Sequence, residues 1–379
     1  MADTPDTASG HFQPDGRPVD EQLADLRVKI DSVDQELLSL LNQRAKLAQA
    51  VGEVKKIDGS PVFRPDREIQ VIERVKNGNP GPVRDDSIAP IWREIMSACR
   101  ALEARQRVAF LGPIGTFSEQ AMLQYFGSSI DPHPCRSIDE IFRATAAQSA
   151  DFGVVPIENS TEGVVARSLD LLLQSKLSIV GEASLLITHN LLRKQPDLKQ
   201  IEVVMAHPQA LAQCQGWLSL NLPDAERREA SSNAEGARVA ASNPRIAALA
   251  SERAASQYGL HVVQRAVQDE PHNRTRFLIV RPQELVTPAA ATGNDCISLA
   301  VSVDNRPGAV HDLLVPLKRH GVSMTRFESR PARSGQWEYV FFIDLIGHPD
   351  QDNVAAALDE LRAQCSLFKL LGSYPLDVH

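Results

Sequence analysis

The stretch LADLRVKIDSVDQELLSLLNQRAKLAQAVGEVK, residues 23–55, decides the fold of the first part of the chain. Its apolar side chains recur every three or four residues, which is the spacing of one face of a long α-helix. Prolines 61, 65, 80 and 82 separate this helix from two more, predicted at about 66–77 and 86–105. The pattern therefore predicts an all-α unit over residues 20–106. The apolar positions of the first helix are Leu23, Leu26, Ile30, Val33, Leu37, Leu40, Leu47 and Val51.

Arg44 interrupts this apolar stripe, at a position where the seven-residue spacing calls for another apolar side chain. A buried guanidinium costs several kcal/mol unless it is paired. Arg27 and Lys55 flank the same face, and they fit either an anion site or a solvated face with extended cations. Arg27 lies ~25 Å from Arg44 along one helix, too far for one small molecule. An antiparallel second copy would bring its own Arg27 to Arg44, so the stripe predicts an intertwined homodimer with a shared site.

Residues 107–281 alternate short apolar runs with helical stretches, which favours an α/β unit with covered sheets. Polar turns follow the strands, and five of them in one unit indicate a two-lobed protein that clamps a ligand. The first turn, residues 112–118, lacks the third glycine of a dinucleotide-binding loop. Strands are predicted at 108–112, 152–157, 177–182, 202–207 and 276–280, and helices at 118–126, 137–148, 163–174, 208–220 and 232–242.

Residues 282–295, PQELVTPAAATGND, read as a linker. Beyond it the pattern predicts a strand at 297–303, a helix at about 307–320, strands at 322–330 and 337–347, a helix at about 350–364 and a strand at 367–374. This β-α-β-β-α-β order is that of an α+β ferredoxin-like sandwich.

The 379 residues are 43% hydrophobic and 23% charged, ordinary values for a chain of two or three globular domains. The net charge of -8 argues against nonspecific nucleic-acid binding. We expect no membrane span, and a disordered tail over residues 1–19 without a secretory signal. Five cysteines without a C-x-x-C pair favour a reducing cytoplasm, and the histidines lack metal-ligand spacing. We expect no metal and no cofactor.

The helical unit resembles the all-helical chorismate mutases in residues 23–55, in VFRPDREIQVIERV (62–75) and in IWREIMSACRALE (91–103). The resemblance implies a pericyclic rearrangement with Lys55 facing the ether oxygen of the substrate. Glu103 occupies a position where glutamine also occurs, and because a carboxylate would repel that oxygen, we expect Glu103 to be protonated in the productive complex. Arg64 stands where aspartate also occurs, and Cys99 where serine is found. The implied site consists of Arg27 from the partner chain, Arg44, Lys55, Arg64, Arg67, Glu68, Cys99 and Glu103.

The two-lobed unit resembles the prephenate dehydratases in GPIGTFS (112–118), VVPIENSTEG (154–163), SSNAEGA (231–237) and NRTRF (273–277). The resemblance implies a periplasmic-binding-protein-like fold and loss of water and CO₂ from prephenate. Thr275 is implied as the residue that assists the leaving hydroxyl, or as one that only positions substrate. Arg276 fits a carboxylate clamp or a structural ion pair. The implied substrate-binding residues are Thr116, Glu158, Asn159, Ser160, Ser231, Asn233, Thr275 and Arg276.

The C-terminal unit resembles the ACT regulatory domain of prephenate dehydratases in NRPGAV (305–310) and ESRP (328–331), although Val310 and His311 depart from the first motif. The resemblance implies L-phenylalanine bound where two such domains pair side by side, with feedback inhibition. The implied effector-binding residues are Asn305, Pro307, Gly308, Ala309, Val310, Glu328, Ser329 and Arg330.

These resemblances together predict a bacterial isomerase and lyase of phenylalanine synthesis, working as a homodimer or a tetramer. The predicted boundaries are 20–106 for the mutase, 107–284 for the dehydratase, 285–295 for the linker and 296–374 for the regulatory domain. Two alternatives stay open. A solute-binding protein with a helical dimerisation arm would bind a small anion without turnover, and a mutase fused to a dehydrogenase would need a dinucleotide fingerprint.

Overall fold

The computed structural model describes residues 16–58, 61–332 and 339–376. The tail predicted over 1–19 lies almost wholly outside the described residues, and the first helix already begins at Val19. Residues 337–338 of the predicted strand 337–347 also lie outside them. Among the helices of these ranges, none combines the length and the apolar composition that crossing a bilayer requires.

Three helices form the N-terminal unit, as predicted: α1 Val19–Asp58, α2 Pro65–Asn77 and α3 Asp85–Ala101. Pro65 occupies the first turn of α2, where a proline costs no hydrogen bond. Helix α1 is 40 residues long, and most of its apolar stripe is exposed in the single chain, including Ile30, Leu37 and Val51. An apolar face of this length in contact with water marks an interaction surface.

The rest of the chain alternates strands and helices. The strands are β1 Arg107–Leu111, β2 Asp131–Cys135, β3 Phe152–Asn159, β4 Gly163–Val164, β5 Leu177–Leu186, β6 Asn190–Arg193, β7 Val203–Ala206, β8 Glu226–Glu229, β9 Ile246–Ala250, β10 His261–Gln264, β11 Arg274–Pro282, β12 Asp295–Ser302, β13 Met324–Pro331, β14 Tyr339–Ile346 and β15 Leu367–Pro375. The helices are α4 Phe117–Phe126, α5 Ile138–Ala146, α6 Ala166–Gln174, α7 Pro208–Gln213, α8 Gln215–Asn221, α9 Asn233–Ser242, α10 Glu252–Tyr258, α11 Ala309–Arg319 and α12 Asp352–Gln364, with a 3₁₀ turn at Gln283–Leu285.

Strands β1 to β11 form two lobes, each with its own sheet. The first lobe has the order β5-β11-β3-β1-β2, in which β1 runs parallel to β2 and β3, and β11 is antiparallel to β3 and β5. The second lobe has the order β10-β6-β9-β7-β8. The chain crosses between the lobes after β5 and again before β11, so two connections form the hinge side of a cleft.

Strands β12 to β15, with α11 and α12, form the C-terminal unit. Their order β13-β14-β12-β15 and antiparallel pairing confirm the predicted β-α-β-β-α-β sandwich. The sequence did not predict that β15 also pairs with β5, at Gly372 opposite Ile179. This contact joins the sheets of the C-terminal unit and the first lobe. A side chain at position 372 would overlap the carbonyl oxygen of Ile179.

Several elements differ from the sequence-based prediction. The helix predicted over 208–220 is divided into α7 and α8 at Cys214. Helix α6 begins only at Ala166, because Gly163 and Val164 pair with β3 instead. Helix α10 and strands β2, β4, β6, β8, β9 and β10 were not predicted. Strand β2 contains two prolines, β8 is the charged edge strand ERRE, and the Ala-rich β9 has weak strand propensity.

Candidate functional site

The cleft between the two lobes holds a cavity of about 430 Å³. The end of β3, the start of β11 and the start of α4 line it from the first lobe, and the starts of α7 and α9 line it from the second. Five of the eight predicted dehydratase-type residues lie in its wall: Thr116, Asn159, Ser231, Asn233 and Thr275.

The 112–118 turn brings the two lobes into contact. Thr116 caps α4, because its hydroxyl accepts from the Glu119 amide and donates to the Leu111 carbonyl. Gly115 has φ +92°, and a Cβ there would lie 3.3 Å from the Tyr258 ring and 3.4 Å from Ala234, both in the second lobe. Only glycine combines this backbone conformation with such a close approach.

Thr275 lies directly opposite Asn159 across the β3–β11 ladder. The Asn159 side-chain oxygen accepts from the amides of Thr161 and Glu162, each at 3.0 Å, so its NH₂ group must face the other way. That group donates to Thr275 Oγ1 at 2.9 Å and to Asn273 Oδ1 at 2.7 Å. Because Oγ1 accepts a bond here, the Thr275 hydroxyl can direct its own proton into the cleft.

A chain of amides extends this arrangement deeper into the protein. Asn273 Nδ2 donates to Gln213 Oε1 at 3.2 Å, and His189 Nε2 lies 2.9 Å from the same oxygen. An amide oxygen only accepts, so Nε2 carries the His189 proton. Burial lowers the pKa of His189, although the Gln213 bond opposes this, and the ring is therefore neutral at pH 7. Sequence reasoning missed Gln213 and His189, since neither lies in a recognised motif.

Among the described residues that line the cavity there is no aspartate or glutamate, and Arg136 is the only arginine or lysine. Arg136 follows β2, the strand that the sequence analysis missed, and for that reason its position at the cleft was not foreseen. The wall also contains the first residues of α4 and α9, whose free amides favour negative charge. The cavity is therefore suited to an anion.

The other three predicted residues do not line the cavity. Ser160 accepts from the Arg274 amide at 2.9 Å, beside the Asn159–Asn273 pair. Arg276 lies on the opposite side of β11 from Thr275, and its guanidinium pairs with Glu182 at 2.7 Å, Asp344 at 3.1 Å and Glu158 at 3.4 Å. For Arg276 this placement favours the structural ion pair over the carboxylate clamp, and it puts Glu158 in the same cluster, which reaches β14 of the C-terminal unit.

In the helical unit, Lys55 and Glu103 lie together between α1 and the end of α3. Lys55 Nζ is 3.8 Å from Glu103 Oε2 and donates to the Val62 carbonyl at 3.2 Å. A Cβ at Gly52 would lie 2.8 Å from Glu103, so glycine permits the close approach of α1 and Glu103. Glu103 Oε2 is buried and makes no hydrogen bond among the described residues.

The other residues of the predicted mutase site differ in burial and in their partners. Arg44 is half-buried and close enough to act on Glu68, whose pKa is raised by burial against the attraction of Arg100, Arg93 and Arg44. Cys99 is buried in α3. Arg67 and Arg27 are exposed, and Arg64 pairs with Asp66 at 2.5 Å.

The turn before α11 borders a separate cavity of about 230 Å³ in the C-terminal unit. Its lining includes Asn305, Gly308, Ala309 and Val310, whereas Pro307 lies in the same turn without facing the cavity. Strand β13 does not line it in the single chain. Within that strand, Arg330 pairs with Asp170 of α6 at 3.2 Å, and the other two predicted residues are Glu328 and Ser329.

Comparison with known proteins places all three units. Family models match residues 26–104 (chorismate mutase type II), 108–285 (prephenate dehydratase) and 297–363 (ACT domain). A bifunctional chorismate mutase/prephenate dehydratase of Neisseria gonorrhoeae is 47% identical over 363 residues, covering 95% of this chain and 99% of that protein.

Two solved structures resemble about 70% of the chain. Prephenate dehydratase from Arthrobacter aurescens, solved in complex with L-Phe, has a TM-score of 0.65 at 33% identity, covering 71% of this chain and 89% of that one. GqqA, described as a novel type of quorum-quenching acylase, has a TM-score of 0.66 at 29% identity, covering 72% and 98%. With near-complete coverage by its bifunctional relative, the chain belongs to the family of bifunctional chorismate mutase/prephenate dehydratases.

Proposed function

We propose that the chain catalyses two consecutive steps of L-phenylalanine biosynthesis. It rearranges chorismate to prephenate, and then converts prephenate to phenylpyruvate with loss of water and CO₂. The observation that carries this proposal is the Thr275 hydroxyl, which accepts a hydrogen bond from Asn159 and lines a cleft whose described residues include no aspartate or glutamate. The full-length likeness to a bifunctional relative supports the same pair of activities.

In the second step, the bond between the prephenate ring and its carboxylate breaks. Its electron pair moves into the ring, CO₂ departs, and the ring hydroxyl leaves as water after taking up a proton. Thr275 supplies that proton and regains one from solvent, as a general acid within a relay. Donation from Asn159 to Oγ1 makes the Thr275 hydroxyl a better donor, because linked hydrogen bonds polarise one another.

The negative charge of prephenate is held by groups from both lobes. Arg136 provides the cationic side chain, and the first turns of α4 and α9 provide backbone amides near Thr116, Ser231 and Asn233. Binding between the lobes also excludes water from the reacting carbon.

The first step is pericyclic and needs no covalent catalyst, only a folded substrate with charge placed against the breaking ether bond. Lys55 faces the ether oxygen, with Glu103 beside it, and Arg44 holds a substrate carboxylate. Arg27 of the partner subunit completes the site. The exposed apolar stripe of α1 supports a homodimer, since a second copy would cover it.

L-Phenylalanine is the proposed effector, bound at the Asn305–Val310 turn where two C-terminal units pair, with Glu328, Ser329 and Arg330 from β13. The open backbone at Gly308, with φ +82°, supports close approach of a ligand. We place the domain boundaries at 20–106, 107–284 and 296–374, and the enzyme in the cytoplasm, where its five free cysteines stay reduced.

A time course of the purified chain on chorismate tests the proposal, with prephenate and phenylpyruvate quantified separately. We expect prephenate to appear first and phenylpyruvate to follow. Arg44→Ala should abolish the first product, and Thr275→Val should make prephenate accumulate. Binding of prephenate without turnover would favour a solute-binding protein, and untouched chorismate would refute the mutase activity.

A further inference from the structure

Arg100, on α3, is only 5% exposed. Arginines are rarely buried this deeply unless their charge is paired. Its guanidinium meets three groups. Nη1 donates to Glu68 Oε1, Nη2 donates to the Phe126 carbonyl at 2.5 Å, and the group lies 4.5 Å above the ring of Phe63. Glu68 and Phe63 belong to the mutase region, whereas Phe126 ends helix α4 of the dehydratase region.

The ring of Phe63 lies beneath the Arg100 guanidinium and is itself held in place by packing. Its ring is 4% exposed and packs against three rings of the dehydratase region, at 5.9 Å from Tyr125, 5.1 Å from Phe126 and 5.4 Å from Phe152. A mutase-region side chain is thus part of the dehydratase core, and the guanidinium above it cannot move without disturbing that core.

We propose that Arg100 is a positioning residue for the mutase reaction, which holds the Glu68 carboxylate in the mutase site while helix α4 of the dehydratase domain holds Arg100. The dehydratase domain thereby helps to fix the position of one carboxylate of the mutase site. This inference rests on the proposed place of Glu68 in that site.

The physical reason is the burial of Glu68. A buried carboxyl loses its charge unless a cation and hydrogen bonds compensate for the lost water. Arg100 occupies Oε1, which leaves Oε2 to accept from a hydroxyl group of the substrate. Without Arg100, the carboxyl takes up a proton at a higher pH and also loses the contact that fixes its orientation.

The experiment uses the full-length chain with the substitutions Arg100→Met and Arg100→Lys. The control is Arg84→Met, because Arg84 is an exposed arginine at the N-terminal cap of the same helix. Mutase kcat and KM on chorismate are measured from pH 5 to 9, and dehydratase rates on supplied prephenate report the integrity of the fold. We expect Arg100→Met to lower mutase kcat/KM about tenfold at pH 7, with the acidic limb of the profile moved to higher pH. Lysine should restore most of the rate, and Arg84→Met should match the parent.

A double substitution separates positioning from a general structural role. When Glu68→Gln has already removed the charge, adding Arg100→Met should lower the mutase rate by less than twofold. The positioning role would be overturned if the double variant lost the product of the two single-variant losses in mutase rate. It would also be overturned if Arg100→Met left the acidic limb of the pH profile unchanged. An inactive parent chain would instead overturn the mutase activity itself, so the two failures are distinguishable.

Discussion

At the residue scale, hydrogen bonds within the protein fix the orientation of the polar groups in the cleft. Asn159 uses its oxygen on two backbone amides, and this fixes its NH₂ group towards Thr275. The Thr275 hydroxyl thus becomes an oriented donor in a wall whose described residues include no carboxylate. Donors fixed before the reaction begins need no reorganisation when charge develops.

Thr275→Val keeps the shape of the side chain and removes the donor. We expect the dehydratase kcat to fall by about 10²–10⁴-fold, the range for loss of a general acid. Thr275→Ser should retain most of the activity, and the mutase rate of both variants should equal that of the parent. Separate assays on chorismate and prephenate check this, and a valine variant with near-normal dehydratase rate would contradict the proton-donor role.

The buried His189 predicts a pH dependence of stability. Its folded-state pKa is below the ordinary value of 6.5, so as pH falls past 6.5 the unfolded chain binds a proton that the folded chain does not. This contribution is complete above pH 6.5 and is lost on acidification. Urea denaturation from pH 5 to 8 should give a smaller slope of unfolding free energy for His189→Asn than for the parent. Equal slopes would show that His189 does not contribute.

Two residues that sequence reasoning assigned to one site differ by one position in a strand. Thr275 faces the cleft, and Arg276 faces the C-terminal unit, because successive side chains in a strand point to opposite faces. The motif NRTRF carried both into the predicted site. Strand alternation could have separated them, but the packing of the C-terminal sheet against the first lobe, which brings Asp344 to Arg276, was not predicted from sequence.

At the element scale, the turns were easier to predict than several of the strands. The turns carry glycines and capping residues with a defined chemistry, as in residues 112–118 and 231–233. Strands β2, β8 and β9 derive their structure from pairing with neighbours rather than from their own composition. Arg136 was missed with β2, so an error in one element removed a charged residue from the predicted site.

Gly115→Ala tests the contact between the lobes. A non-glycine residue at φ +92° costs about 1–3 kcal/mol, and the new Cβ would also crowd Tyr258 at 3.3 Å. We expect a loss of about 2–3 kcal/mol in unfolding free energy, measured by denaturant titration.

Gly293→Ala is the matched control for that substitution. Gly293 has φ +89°, but no atom lies within 4 Å of the added Cβ, so only the backbone strain applies. The alanine at 115 should therefore be the more destabilising of the two. Equal losses of unfolding free energy at positions 115 and 293 would contradict the crowding argument.

At the scale of the whole molecule, ion pairs and sheet pairing join units that the sequence presents as separate. Arg276 contacts Asp344, and Arg326 of β13 contacts Glu158 of β3 at 3.2 Å, so charges from both units alternate across their boundary. The three units and their order were predicted from motifs, and the fold of each is confirmed. Their mutual packing was not, because it depends on individual side chains rather than on periodicity.

Arg276→Met leaves Glu182 and Asp344 without their cation in a largely buried setting. We expect it to lower the unfolding free energy by about 3 kcal/mol. Arg167→Met is the control, because its pair with Asp139 is exposed and solvent screens it, so we expect a much smaller loss. Denaturant titration of both variants checks the difference, and a similar small loss in each would contradict a structural role for the Arg276 cluster.

The pairing of β15 with β5 also sets an order of events during protein synthesis. Strand β5 leaves the ribosome early, whereas β15 is translated roughly 180 residues later, on the order of 10–40 s at ordinary elongation rates. Throughout that interval one edge of the apolar LSIVGEASLL strand has no partner, and open strand edges template aggregation. We therefore expect this edge of β5 to be open to pairing with other chains until β15 emerges.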